Sequence, residues 1–354
     1  MLISCRYLSL SDYPLLGNKI IEPFELPENS STRSLGAGLR VAFDTYIKLE
    51  RPLHNPCVIF LVQSPERNIF DQRFLEYELQ QKEVPVFRLP FGDILSHTSI
   101  AETSKRQLLY RPPNIQSKMF EVAVVYLRAG YGPQDYPDTS SWEGRLQIER
   151  SNAIKCPSIL TQLAGTKKVQ QVLATPKSPN TPSVLPQFMK GDTTIDIARL
   201  ENTFTNIFPL DESPAGLEAR KIAIDEELCK DYVLKPQREG GGNNTYRSAI
   251  PPFLKSIPES HWASYILMEI ITPPPVHNMI LRNGVIEKGG VICELGIYGT
   301  CLWDHSTEEI LHNEEAGYLL RTKGDKSEEG GVAAGFGSMD SCRLFGPAYE
   351  TSEL

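Results

Sequence analysis

Between residues 55 and 131 the chain reads, in order, NPCVIFLVQ, NIFDQRFLEYELQQK, VPVFRL and EVAVVYLRAGY. The first run is short, continuous and rich in Val, Ile and Phe, as a strand buried on both faces is. In the second, Ile69, Phe70, Phe74 and Tyr77 recur at helical spacing, which predicts an amphipathic helix with those residues inside. The third predicts another strand. The fourth predicts a strand that alternates into a Gly-Tyr turn. Strand, helix, strand and a later strand make an α/β unit around a parallel sheet. Ligands in such sheets sit beyond the carboxyl ends of the strands. That rule singles out Glu66, Arg67 and Asn68 after the first strand and Arg128 to Tyr131 after the third.

The flanking sequence is less uniform. GAGLRVAFDTYIKL predicts a helix before the sheet unit, and the first fifty residues read as an incomplete piece. SWEGRLQIERSNAIKC and PSILTQLAGTKKVQQVLA predict two helices, the second opened by its proline. TPKSPNTPSVLPQ is a linker by composition. Beyond it, DYVLKP, ASYILMEII and GGVICELGIYGTCLW predict an antiparallel sheet. A length of 354 residues allows two or three domains. The net charge of -8 argues against a protein that binds by neutralising nucleic-acid phosphates. No run is apolar for long enough to span a bilayer, and the start has no basic and then apolar block of a secretory signal. The seven cysteines are scattered singly with no CxxC, as expected of reduced thiols in a cytosolic enzyme. There is no HExxH, so a zinc hydrolase is not expected.

Three stretches of the second half share a chemistry. KPQREGGGNN places Lys235 at a strand end, then Glu239, three glycines, Asn243, Asn244 and Tyr246. Glycine amides can approach an anion closely while a lysine supplies a point charge. An ordinary surface turn is the plain alternative, and neither GxxxxGK[ST] nor GxGxxG is present. YILMEII carries one acid, Glu269, in an apolar strand; it reads either as backbone offered to a purine ring or as a core strand with a solvent-facing acid. LLRTKGDKSEEGGVAAGFG alternates Arg321 and Lys323 and then turns glycine-rich, either an anion-binding lid or a surface hairpin. Glu294 lies in an apolar strand, where a buried acid needs a partner or a metal. Together these groups point to a triphosphate held by cations and amides, with Glu239 and Glu294 on a hard cation such as Mg²⁺, and so to nucleotide-dependent phosphoryl transfer.

PERNIFDQR, RAGY, ERSNAIKCPSI, QLAGTKKVQQ, VLKPQREGGGNN, YILMEII, CELGIYG and LLRTK, in this order, resemble the eukaryotic glutathione synthetase family of ATP-grasp ligases, over about residues 27 to 335. The resemblance implies a fold of α/β and α+β type, an ATP-grasp fold with an inserted Rossmann-like parallel-sheet substrate-binding domain. It implies a remnant of the ATP-grasp region over residues 1–53, the substrate-binding domain over 54–165 and the ATP-binding region with its lid loops over 166–354. The implied reaction joins γ-glutamylcysteine to glycine at the expense of ATP, with Mg²⁺, in a cytoplasmic homodimer. The implied nucleotide residues are Lys167, Lys235, Gly240, Gly241, Gly242, Asn243, Asn244, Tyr246, Met268, Glu269, Ile270, Ile271, Glu294, Lys323 and Glu329, with Glu239 on the metal. The implied peptide residues are Glu66, Arg67, Asn68, Gln72, Arg128, Ala129, Gly130, Tyr131, Arg321, Val332 and Ala333; Arg321 and Lys323 are the implied catalytic pair. Ala129 stands where some members have Asp. The family's upstream Glu-x-Asn motif, a source of Mg²⁺ ligands, has no counterpart before LPENSSTRSL. That departure implies a thinner metal shell and slower ligation, the alternative being an impaired, nucleotide-binding relative.

Overall fold

The structure is a computed structural model that describes residues 27–115, 117–177, 182–189, 194–238, 242–282, 284–328, 332, 335, 337–342 and 344. The chain forms two compact units. One comprises Met1–Ser158 and Val276–Leu354, the other Ile159–Pro275.

In the first unit α1 (Ser31–Glu50) is followed by β1 (Asn55–Val62), α2 (Ile69–Gln81), β2 (Val86–Pro90), α3 (Ile94–His97), β3 (Thr98–Ile100), β4 (Leu108–Tyr110), β5 (Phe120–Leu127), α4 (Thr139–Arg150) and β6 (Ile154–Cys156). The sheet order is β2-β1-β5-β4-β3, with β6 also on β5. β1 runs parallel to β2 and β5, and β5 parallel to β6, so the expected parallel unit is present. β3 and β4 extend it with antiparallel pairs, which makes the whole sheet mixed. Alternate residues of β1 feed two cores. Cys57, Ile59 and Leu61 pack with Phe91, Ile94 and Ile148 on one face. Val58, Phe60 and Val62 pack with Leu39, Phe43 and Tyr46 of α1 and with Leu75 and Leu79 of α2 on the other. For the same reason β5 does not alternate as the sequence suggests: apart from Tyr126 it is buried along its whole length, because both faces are covered.

Two local expectations are overturned. α2 buries Gln72, Leu75, Glu76 and Leu79, while Phe70 stays 73% and Tyr77 49% exposed. The helix forms as expected, but its apolar spacing names the inward face only in part: Ile69 and Phe74 are half-buried, and the fully buried face carries two polar side chains. The helix expected over SWEGRLQIERSNAIKC ends at Arg150. Ile154–Cys156 instead forms β6, which pairs with Val124, Val125 and Tyr126, beyond the short stretch of β5 that β4 covers.

The rest of this unit is an antiparallel sheet of β11 (Val276–Arg282), β12 (Val285–Trp303), β13 (Ile310–Gly324) and β14 (Ser338–Asp340), in that order. The start of α1 is fastened to β13. Asn29 Nδ2 and Ser31 Oγ both donate to the Tyr318 carbonyl, at 2.8 and 3.1 Å, and the Tyr318 hydroxyl donates to the Pro27 carbonyl at 3.2 Å. Gly317 makes the approach possible: its φ is +90°, and a Cβ there would lie 2.7 Å from the Ser31 nitrogen.

The second unit holds α5 (Ile159–Ala164), α6 (Lys167–Ala174), α7 (Thr194–Glu201), β7 (Ile207–Pro209), α8 (Pro214–Ile224), β8 (Tyr232–Pro236), β9 (Thr245–Tyr246), α9 (Ile250–Lys255) and β10 (Tyr265–Glu269). Its sheet, β7-β10-β8-β9, is antiparallel, as DYVLKP and ASYILMEII predict, but GGVICELGIYGTCLW, expected with them, is β12 of the first unit's separate sheet. The single helix expected from Pro157 to Ala174 breaks at Gly165 and Thr166 into α5 and α6, and Pro157 lies ahead of both. Ser213 caps α8 by accepting from the Gly216 amide, with Pro214 in the first helical position. Leu234, Leu267, Ala219, Ala223 and Leu254 form the core between sheet and helices.

The clasp at Gly317 gives a direct test. Gly317→Ala adds left-handed strain and a backbone clash, so urea unfolding is expected to register a loss of about 2 kcal/mol or more. Gly324→Ala, where a Cβ meets nothing within 4 Å, is the control and changes stability little.

Candidate functional site

The second unit holds Lys167, Lys235, Tyr246 and Met268 to Ile271 of the expected nucleotide residues, while Glu294 and Lys323 belong to the first. β8 and β9 pair through Val233 with Tyr246 and Leu234 with Thr245, so the stretch from Gln237 to Asn244 is their connection. Lys235 itself lies opposite Ile266 of β10. Gln237 Oε1 accepts from the Lys168 amide at 3.0 Å, which ties this hairpin to the first turn of α6, where Lys167 begins the helix. Lys168 Nζ also reaches Asp211 at 3.3 Å. Burial would raise the Asp211 carboxyl, but bonds from Ser213 and Lys168 outweigh it and hold the group below the usual carboxylate range. Asn244 Nδ2 donates to the Tyr246 hydroxyl at 3.1 Å. Glu239, Gly240 and Gly241 lie outside the described residues, as do Glu329 and Ala333.

Along β10 and the residues after it, Met268 pairs with Val233 and Ile207. The Glu269 amide donates to the Asn206 carbonyl at 2.9 Å and the Ile270 amide to the Asp231 carbonyl at 2.8 Å. The Glu269 carboxylate accepts from Asn206 Nδ2 at 2.8 Å. These two amides are spent on the protein's own backbone. Ile271, the last residue of the expected purine-reading segment, lies beyond β10 and is exposed.

In the first unit the loops after β1 and β5 meet. Glu66 Oε1 accepts from the Asn68 amide at 2.8 Å, and Oε2 from Gln72 Nε2 at 2.7 Å. Arg128 donates its amide to the Leu61 carbonyl at 2.7 Å, one bond past the β1–β5 ladder. Its guanidinium lies over the Tyr126 ring, 5.8 Å from the centroid. Burial works against its charge, yet Tyr126, Asp71 and Glu66 together hold it firmly protonated. Its Nε is buried and has no hydrogen-bond partner among the described residues. Gly130 has φ +83°, and a Cβ there would come within 2.6 Å of the Phe91 ring. Asp135 Oδ2 accepts from the Gly130 amide at 2.8 Å, and the Tyr136 hydroxyl donates to the Gly130 carbonyl at the same distance. Gln63 Nε2 joins the two loops by donating to the Tyr131 hydroxyl at 3.2 Å. Ala129 is buried in the core beside Phe91, so it offers the loop backbone only. Arg67 and Tyr131 are exposed.

β12 and β13 bring further expected residues to this unit. Glu294 and Arg321 are register partners, and Arg321 Nη2 bonds Glu294 Oε2 at 2.7 Å. Both side chains are about half exposed, so Glu294 is not the buried acid that its apolar neighbours suggest. Lys323 Nζ donates to the Glu328 carbonyl at 3.0 Å, and Val332 lies in a turn closed by the Gly335 amide. Tyr298 links this hairpin to the loops: burial raises its phenol, Asp71 adds to the rise, and Arg321 and Arg128 oppose it. Asp71, Arg128, Tyr298 and Arg321 thus share one electrostatic neighbourhood. Among the described residues no cluster of three or more His, Cys, Asp or Glu side chains could hold a metal.

Asp71, Glu76, Arg88, Asp135 and Tyr298 belong to this surrounding and were not anticipated. Glu76 shares the i, i+3, i+4, i+7 face of Leu75 and Leu79, but its polarity hides it from an apolar pattern. Because the Glu294–Arg321 pair is exposed, Glu294→Gln is expected to change unfolding free energy by less than about 1 kcal/mol in urea melts. A larger loss would make the pair structural.

The family described as eukaryotic glutathione synthase, ATP binding domain, matches residues 5–344. Among curated relatives, the glutathione synthetase large chain of Schizosaccharomyces pombe is 40% identical over 329 residues, covering 90% of this chain and 63% of its own. The chloroplastic glutathione synthetase of Solanum lycopersicum is 40% identical over 328 residues, covering 91% and 54%. The glutathione synthetase of Homo sapiens is 39% identical over 329 residues, covering 92% and 63%. The chain therefore spans between 54% and 63% of the length of these relatives. Among solved structures, a glutathione synthetase-like effector of Globodera pallida in its apo form superposes with a TM-score of 0.63 at 18% identity, over 90% of this chain and 62% of that one. At that identity the likeness is one of fold.

Proposed function

Since the chain belongs to the eukaryotic glutathione synthase family, we propose that it takes part in the ATP-dependent ligation of γ-glutamylcysteine to glycine. The observation that carries this reading is the buried Arg128 Nε, a donor with no acceptor among the described residues, in a pocket of charge shared with Asp71 and Glu66. A buried guanidinium with an unused N–H calls for an anionic ligand. The carboxylates of γ-glutamylcysteine are such groups.

The chemistry assigns work to each unit. A carboxylate is a poor acyl donor, so the cysteinyl carboxylate first takes the γ-phosphoryl group of ATP. The neutral glycine amine then attacks the acyl carbon, phosphate leaves with the electrons of the broken C–O bond, and the nitrogen gives its extra proton to solvent. Glu66, Arg67, Asn68, Gln72, Arg128, Gly130 and Tyr131 hold the peptide in the first unit. Arg321 grips a carboxylate by its fork, and Lys323 offers its charge to phosphate. In the second unit Lys167, Lys235 and the glycine amides hold the triphosphate, while Met268 to Ile271 line the adenine. With two of that segment's amides bonded internally, the Ile271 amide is the base-reading donor. Glu239 and Glu294 are the carboxylates assigned to Mg²⁺, which would neutralise phosphate charge when bound and takes only one or two protein carboxylates. Glu294 fits this role because its present partner is an exposed one, exchanged at little cost.

The reading extends to a homodimer working in the cytoplasm. No helix among the described residues is long and apolar enough to cross a membrane. Light scattering of the purified chain tests the dimer.

The decisive assay supplies the purified chain with ATP, Mg²⁺, γ-glutamylcysteine and glycine. Equimolar ADP and glutathione are expected. ATP binding with no glutathione would favour a nucleotide-binding relative without ligase activity.

The two-cluster assignment also predicts a double dissociation by calorimetry. Lys235→Ala should weaken ATP binding by roughly 1.5 to 3 kcal/mol and spare the peptide, since it removes a charge-assisted contact. Arg128→Ala should do the reverse. Equal losses for both ligands in either variant would contradict the assignment.

A further inference from the structure

Two polar residues on the buried face of α2 and one on β2 do nothing for the core that apolar residues would not do better. Gln72 and Glu76 are each 1% exposed, one helical turn apart. Arg88 of β2 reaches both. Its Nη1 donates to Glu76 Oε1, and its Nη2 donates to Gln72 Oε1 at 2.8 Å. Arg73 Nη1 donates to the other Glu76 oxygen at 2.5 Å. The far end of the Gln72 amide, Nε2, donates to Glu66 Oε2 at 2.7 Å.

We propose that Arg88, charge-balanced by Glu76, is a positioning residue for the peptide site, acting through Gln72 on Glu66. A guanidinium has only donors, a carboxylate only acceptors, and a primary amide one end of each. With Arg88 at one end and Glu66 at the other, the Gln72 amide has a single orientation that satisfies both. Reversed, it would set donor against donor and acceptor against acceptor. The relay therefore carries direction from β2 to the Glu66 carboxylate, which the Asn68 amide grips from the other side. Glu66 is one of the groups that sustain the charge of Arg128. Glu76 allows the arrangement to be buried, since an unpaired Arg88 inside would be costly. Arg73, also on Glu76, keeps that acid paired when Arg88 is altered.

The inference rests on the reading that γ-glutamylcysteine binds at the ends of β1 and β5, so two independent readouts are needed. Crystal structures without ligand test the relay by itself. In Arg88→Met, and in Arg88→Lys, whose single ammonium keeps the charge but not the fork, Glu66 Oε2 should lose its contact with Gln72. Calorimetry tests what the relay serves. Arg88→Lys should retain the wild-type melting temperature within a few degrees, raise the Kd for γ-glutamylcysteine about tenfold, the worth of one oriented hydrogen bond, and leave that for ATP unchanged. A role in stability alone predicts the opposite: Arg88→Lys would restore peptide binding fully, and any loss in Arg88→Met would follow its melting temperature. An unmoved Glu66 in both crystals would overturn the relay. A displaced Glu66 with unchanged peptide affinity would leave the relay standing and overturn its link to the peptide site.

Discussion

The pairing of β1 with β5 is the interaction on which the first unit depends. Both strands are buried, and both end at a ligand loop. The ladder continues one bond beyond the strands, from the Arg128 amide to the Leu61 carbonyl. A parallel pair brings two carboxyl ends to the same edge, which a hairpin of antiparallel neighbours would not do. Glu66 and Arg128 are thereby delivered to one place although 62 residues separate them. The strands can be this apolar because α1 and α2 cover one face and α3 and α4 the other. The loops carry the polarity that the strands exclude.

That division explains how much of the site could be read from residue order. NPCVIFLVQ and EVAVVYLRAGY name their strands without ambiguity, and the strand-end rule then names Glu66, Asn68, Arg128 and Gly130. KPQREGGGNN names the strand end at Lys235 and the turn after it, but not β9, whose two residues pair with β8. The failures are physical as well. The apolar pattern misplaces the inward face of α2 because Phe70 and Tyr77 are exposed while Ile69 and Phe74 are only half-buried. The helix turns Gln72 and Glu76 inward to meet Arg88, and a hydrophobicity pattern has no means of anticipating a buried polar relay. β6 was read as the end of a helix, since its three residues have too little periodicity to compete with the pattern before them. Glu294 was read as buried because its strand is apolar, but β12 is a strand of a sheet whose face is open at Glu294 and Arg321.

The charged residues divide in the same way. Two buried acids are fully engaged, Glu76 with Arg73 and Arg88, and Glu121 with the Tyr46 hydroxyl and the Leu53 amide. Arg128 differs from these two. It is mostly buried, its charge is sustained by its neighbours, and one of its N–H groups is unused. Polar groups buried without a partner are rare in folded proteins, because each forgoes its bond to water. A bound anion is the compensation that the proposed function supplies.

Hydrogen–deuterium exchange with each ligand alone tests this account most directly. With γ-glutamylcysteine, protection is expected in residues 63–72 and 128–136, and with a non-hydrolysable ATP analogue in residues 235–246 and 268–271. Peptide-dependent protection confined to residues 235–246, with none around Glu66 and Arg128, would contradict it.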